Sequence, residues 1–294
     1  MDNGYSNQTL KLLIERASCR SFSDKEISPD VLQLVLEAGI HAPTGGNLQP
    51  YSIIKIQKDE IKQRLAELCG GQNWIAEAPI NLMFCIDWHR IERWAKLEIA
   101  PFTATSSFRH FWISLQDTVI CAHNICIAAD SLGLGSVYIG SILACFAEIR
   151  DMLKLPKGVF PVILLCIGYP KGRPLPRKKL GVDAIVHSER YHEMEDQELI
   201  DAFKEIYPDY KIEITEERLE TISEVCREVD GEEFARRCID RIKENGYINR
   251  VQRTFGLHYR ANSMPTGNDI YLKLMEESGF DWFKKYHPFE DKAT

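Results

Sequence analysis

The chain has 294 residues, 45% of them hydrophobic and 27% charged, with a net charge of −7. That length supports one large domain, or a domain with an appendage, around a sizeable core. The negative balance argues against nucleic acid or an anionic membrane as the main partner. No apolar run reaches the ~18 residues of a membrane span, and Met1 to Gln8 lack a signal-peptide pattern, so a cytoplasmic location is expected.

Thr9 to Glu15 reads as a short amphipathic helix. Arg16-Ala17-Ser18-Cys19-Arg20-Ser21-Phe22 follows. An extended backbone points Arg16, Ser18 and Arg20 to one side. Such a cluster can hold a dianion, because arginine gives paired, charge-assisted hydrogen bonds to phosphate oxygens. It also suits a solvated helix end. Ser28-Pro29-Asp30 marks a helix start, with Ser28 as N-cap, and the helix must stop before Pro43.

Thr44-Gly45-Gly46-Asn47-Leu48-Gln49 combines two glycines, which allow close backbone approach, with polar side chains at Thr44, Asn47 and Gln49. It is a ligand loop or an ordinary Gly- and Pro-rich turn. It feeds a strand over 51–56. A helix over 60–68 ends at Gly70-Gly71-Gln72, and 80–86 reads as a buried strand. The aromatic stretch from Trp88 to Trp112 either walls a pocket or packs as core. Residues 112–132 form the longest helix candidate; His123 within it reads as a hydrogen-bonded core or interface residue.

Residues 136–140 and 161–169 read as strands, with a helix over 147–155 between them. A lone Gly133-x-Gly135 with no third glycine excludes a Rossmann fingerprint. Pro174 to Lys179 is a stiff basic loop: a second clamp on the same phosphate, or a solvated charge run. Beyond about Val186 the chain turns charged and helix-prone, with helices over 196–206, 216–230 and 232–245. Nine cysteines occur with no Cys-x-x-Cys pair and no zinc-spaced histidines, so neither a disulfide framework nor a metal is expected. Cys19, flanked by arginines, is a candidate reactive thiol or a packed small side chain.

The ordered set resembles the nitroreductase family of FMN flavoproteins, nearest the oxygen-insensitive nitroreductase and NADPH–flavin reductase group. It comprises Arg16-x-Ser18-x-Arg20-x-Phe22, Pro29, Asn47-Leu48-Gln49-Pro50, Gly70-Gly71-Gln72, Gln116-Asp117, Ser131-Leu132-Gly133-Leu134-Gly135, Val137-Tyr138-Ile139-Gly140, Leu153-x-Leu155-Pro156, Gly168-Tyr169-Pro170 and Pro176-Arg177. The resemblance implies an α+β fold, a mainly antiparallel sheet flanked by helices, in an intertwined homodimer. Residues 9–193 would form the FMN-binding core and 194–294 a helical extension acting as lid, dimer brace or substrate-side cover.

It further implies that Arg16, Ser18 and Arg20 hold the FMN phosphate and ribityl chain, with Arg177 and Lys179 completing the clamp. Thr44, Gly45, Asn47 and Gln49 would lie near the flavin ring, reached across the dimer. Gln72 would contact the flavin, and Tyr138, Ile139 and Gly140 would back it. The implied activity passes a hydride from NADPH or NADH through flavin N5 to a nitroaromatic, quinone or flavin in a ping-pong cycle, with no catalytic side chain. A reductase dedicated to one natural substrate and a non-catalytic FMN-binding protein are the alternatives. Gly45 and Gly46 stand where the family often has serines, and Ala17 replaces a basic residue.

Overall fold

The computed structural model describes residues 7–172 and 174–286. The chain's first six residues and the last eight of the expected extension lie outside these. Two compact units are present: residues 1–176 with 271–294, and residues 177–270. The boundary read from sequence, between 193 and 194, lies inside the second unit.

In the first unit, helices α1 (Gln8–Glu15) and α2 (Pro29–Ile40) precede strand β1 (Tyr51–Ile56). Helices α3 (Asp59–Leu68) and α4 (Asn73–Glu77) lead to β2 (Ile80–Asp87). Then come α5 (Trp88–Leu97), the long α6 (Phe108–Ser131), β3 (Gly135–Ile139), α7 (Phe146–Leu153) and β4 (Val159–Gly168). The strands form one sheet in the order β1-β2-β4-β3, and every pairing is antiparallel. Central β2 is buried at all eight positions because both faces of the sheet are covered.

One face packs Met83, Cys85, Val137 and Leu164 against Leu65, Ile75 and Ile149 of α3, α4 and α7. The other packs Leu82, Phe84 and Leu165 against Val35 of α2 and Cys121, Ile125 and Ala129 of α6. A third, aromatic cluster joins Trp88, Phe111, Phe146 and Phe160 with Met275 and Phe280. This settles the reading of Trp88 as core; its indole N–H donates to Ser114 Oγ at 3.1 Å. Trp94 and Trp112 are exposed.

The local signals explain the element ends. Ser28 Oγ accepts from Val31 N–H, and Pro29 opens α2. Near the end of α2, Gly39 lets α6 come close: a Cβ there would lie 2.3 Å from Ile125 Cγ1. Ile125 is fully buried and has nowhere to move. Gly39→Ala is therefore expected to destabilise by about 1–3 kcal/mol through overpacking, read as a lower denaturant midpoint at unchanged slope.

The second unit is helical: α8 (Asp196–Ile206), α9 (Glu216–Asp230), α10 (Glu232–Asn245) and the short α11 (Arg250–Arg253). Its small core holds Ile222, Ile242 and Ile248, and a single bridge pairs Ile212 with Ile248. The last helix, α12 (Asn268–Glu277), belongs to the first unit from Tyr271 onward.

Candidate functional site

The arginine segment leaves α1 in extended conformation, touches the start of β3 and then pairs with the residues that follow β4. Cys19 N–H donates to Ser136 O at 2.9 Å, Ser23 N–H to Tyr169 O, and Phe22 bridges Pro170. Cys19 is buried and its Sγ donates to Ser21 O. Burial pushes its thiol pKa up, against the lowering expected from its neighbours, so Cys19 is the packed side chain.

Ser18 and Arg20 are exposed, and Arg16 is half-buried. The two guanidiniums do not converge on one point. Arg16 turns to α6 and β3: its Nε donates to Asp130 Oδ2 at 2.8 Å and its Nη2 to Ser136 Oγ at 3.3 Å. Arg20 turns to α4 and lies 5.8 Å from the centroid of the Trp74 ring. Arg16 and Asp130 also line a cavity of about 640 Å³, together with Lys11, Gly135 and Pro170.

The far end of β3 carries a second polar group. Gln72 Nε2 donates to Cys69 O at 2.7 Å and to Ser141 Oγ at 2.8 Å, which leaves its amide oxygen to accept. Trp74 Nε1 is buried without a partner. Between the two ends runs the strand edge. Ser136 O points to that edge, so by the two-residue period Tyr138 and Gly140 direct their N–H groups the same way. A Cβ built on Gly140 meets nothing within 4 Å, so the space above it is open. Tyr138 and Ile139 point their side chains to opposite faces, into the clusters of α6 and of α3 and α7 respectively.

The Thr44–Gln49 loop is held elsewhere. Gly45 N–H donates to both carboxylate oxygens of Asp117, at 3.1 and 3.2 Å. Gln49 N–H donates to Thr44 Oγ1, and Gln49 Nε2 to Asn47 Oδ1 at 2.6 Å. Arg90 Nη2 closes the loop on Gln49 O and Tyr51 O, at 2.6 and 2.8 Å. Gly46, Asn47 and Gln49 all adopt positive φ, of 59°, 56° and 43°. Glycine takes that conformation freely, whereas Asn47 and Gln49 are held in it by this network.

Asp117 and Asp130 are 13 residues apart on α6, or roughly 20 Å along the helix. One chain therefore brings Arg16, Ser18, Arg20, Gln72 and Gly140 to β3 and leaves Thr44, Gly45, Asn47 and Gln49 at the other half of α6. Arg177 and Lys179 are exposed members of the second unit. His123 is exposed rather than in the core.

Residues 13–169, just over half of the chain, match the nitroreductase family. The chain belongs to the nitroreductase family. It is 34% identical over 63% of its length to FMN reductase (NAD(P)H) of Bacillus subtilis, covering 75% of that protein. It is 31% identical over 69% of its length to the oxygen-insensitive NADPH nitroreductase of Salmonella typhimurium, covering 82%. Among solved structures, NfrA2 of B. megaterium superposes with a TM-score of 0.71 at 27% identity, over 95% of this chain and all of that one. These relatives place this nitroreductase-family chain near the oxygen-insensitive nitroreductase and flavin reductase group.

Sequence reasoning passed over Asp130, Ser136, Arg90 and Trp74 as site residues. It gave Asp117 only as part of a motif. The missed signal is a carboxylate inside an otherwise apolar helix, which must find a donor once buried. Burial raises the Asp117 pKa, while the Gly45 N–H bond works against the rise. A carboxylate whose folded pKa is raised loses stability as pH climbs through that value, and loses none below its ordinary range. Asp117→Asn keeps an acceptor for Gly45 and removes the charge. Its Tm relative to the parent is expected to rise between pH 4 and pH 7; a pH-independent difference would contradict this.

Proposed function

We propose that this protein is an FMN-dependent oxidoreductase that takes reducing equivalents from NADPH or NADH and delivers them to a small organic acceptor, working as a homodimer. The observation that carries the reading is the strand edge of β3, with a guanidinium at one end and an acceptor amide at the other. Five strand residues at ~3.3 Å each span roughly 16 Å, the scale of a mononucleotide laid out from phosphate to ring.

The donor set fits the group. Arg16, with Ser18 beside it, would hold the phosphate. Gln72 offers an acceptor to a ring N–H. Arg20 brings positive charge to the same end as Gln72, and Gly140 offers a backbone N–H under open space. When bound, FMN supplies the hydride relay between nicotinamide and acceptor. The chain's own work is to hold, orient and shield that group, which is consistent with assigning no side chain as nucleophile or general base.

The second copy enters because the Thr44–Gln49 loop leads into β1, which lies at the sheet edge opposite β3. We assign Asn47 and Gln49 to the flavin site of the partner. Absorbance of the purified protein tests the reading. Bands near ~370 and 450 nm that bleach with NADPH or NADH under anaerobic conditions are expected. A flavin that binds but is bleached by neither would favour a binding protein. Turnover of one metabolite, with nitro compounds and quinones inert, would favour a dedicated reductase.

A further inference from the structure

We infer that Asp130 is a positioning residue: it fixes the Arg16 guanidinium so that its outer edge faces a phosphate group. The inference rests on the FMN reading above. A guanidinium presents two usable edges, one made by Nε with Nη2 and one made by Nη1 with Nη2. Asp130 takes Nε at 2.8 Å and Ser136 takes Nη2 at 3.3 Å, so the inner edge is filled. Three N–H donors remain, and the Nη1–Nη2 fork is the edge that matches two phosphate oxygens.

The fork is held in two directions. Asp130 sits in α6 and Ser136 in β3, so the arginine is tied to two elements packed on each other. Ser136 Oγ is itself fixed, 3.1 Å from Cys126 Sγ, and is fully buried. The pair lines the 640 Å³ cavity, which gives an anion room beside the fork.

Helix stability does not explain Asp130. It lies one residue before the last residue of α6, where a carboxylate meets the negative end of the helix dipole. Burial raises its pKa, and the hydrogen bond and charge of Arg16 counter that rise only in part. The carboxylate is thus held at a cost in a place where Arg16 is its hydrogen-bonded partner and His123 adds a weaker favourable charge. A free arginine would sample many rotamers and lose them on binding; one already clamped at its inner edge loses fewer.

The test compares FMN with riboflavin, which lacks the phosphate, by fluorescence titration of the apoprotein. The parent should bind FMN more tightly than riboflavin. Asp130→Ala should weaken FMN by about tenfold, the scale of one charge-assisted contact, and leave riboflavin within about twofold. Asp130→Asn keeps an acceptor oxygen and nearly the same shape, so it should fold as the parent does and lose about threefold for FMN only. A merely structural role would weaken both ligands alike. Unchanged FMN-to-riboflavin ratios in both variants would overturn the positioning role while leaving the flavin reading intact. A parent that binds FMN no better than riboflavin would overturn the phosphate assignment itself.

Discussion

Arg16→Ala is expected to lower FMN affinity by about a hundredfold, from the loss of two charge-assisted hydrogen bonds to one phosphate. The same substitution carries a stability cost of its own. It strands Asp130, whose side chain is only 12% exposed, without the Nε–H that satisfies it. An unpaired, mostly buried carboxylate costs about 1–3 kcal/mol, reduced here by the residual exposure. The two effects can be separated. In the double variant Arg16→Ala/Asp130→Ala the stranded charge is gone, so the denaturant midpoint should recover most of the loss. FMN affinity should not recover, because nothing replaces the fork. Equilibrium unfolding and FMN titration on parent, single and double variants check both statements. FMN affinity that returns with stability would mean that Arg16 acts only by holding α6 to β3.

The contrast between Arg16 and the loop at Thr44 shows what sequence could and could not reveal. The strands and long helices followed from periodicity and from Gly, Pro and Ser punctuation, because burial of one face imposes that pattern on nearby residues. The helix α4 escaped notice: five residues after two glycines offer too short a pattern. The partners of the site carboxylates escaped for a different reason. Asp130 meets Arg16 across 114 positions and Asp117 meets Gly45 across 72, and no local rule connects residues so far apart. Alternation along residues 16–20 suggested that both arginines face one anion. In the folded chain α6 draws Arg16 one way and Trp74 draws Arg20 the other.

The division of the chain was hidden in the same way. Composition shifts near residue 186, whereas the first unit ends at Pro176 and regains the chain at Tyr271. Met275 and Phe280 return to the aromatic cluster around Phe160, a long-range contact that a charged, helix-prone composition conceals. Apolar residues on several faces of α6 imply a helix buried on most sides, yet in the single chain part of that apolar surface is exposed. Trp112, Val119 and Ile120 are each at least 40% exposed, although the opposite side of the same helix is buried. Leu10, Leu13 and Ile14 of α1 and Leu34 and Ile40 of α2 are exposed as well. This exposed apolar surface is the face that the proposed homodimer would cover.

If the proposed homodimer forms on this face, Ile120→Asp is expected to split it into monomers and to abolish FMN retention together. The position lies mid-helix on the uncovered side of α6, next to Val119 and one turn from Gln116 and His123. A carboxylate there would be buried without a donor in an interface of the usual ~800 Å² per partner, which outweighs what a marginal apolar contact supplies. Folding of the single chain should survive, because Ile120 is exposed in it. Loss of FMN should follow from geometry. The Thr44–Gln49 loop is pinned to Asp117 and leads into β1, at the sheet edge opposite β3, so under the proposed homodimer a second copy brings Asn47 and Gln49 to the β3 edge. Sedimentation equilibrium and the flavin-to-protein absorbance ratio, with circular dichroism to establish folding, measure all three. A folded monomer that still retains FMN at the parental ratio would show that one chain completes its own site, and the assignment of the loop to the partner's flavin would fall.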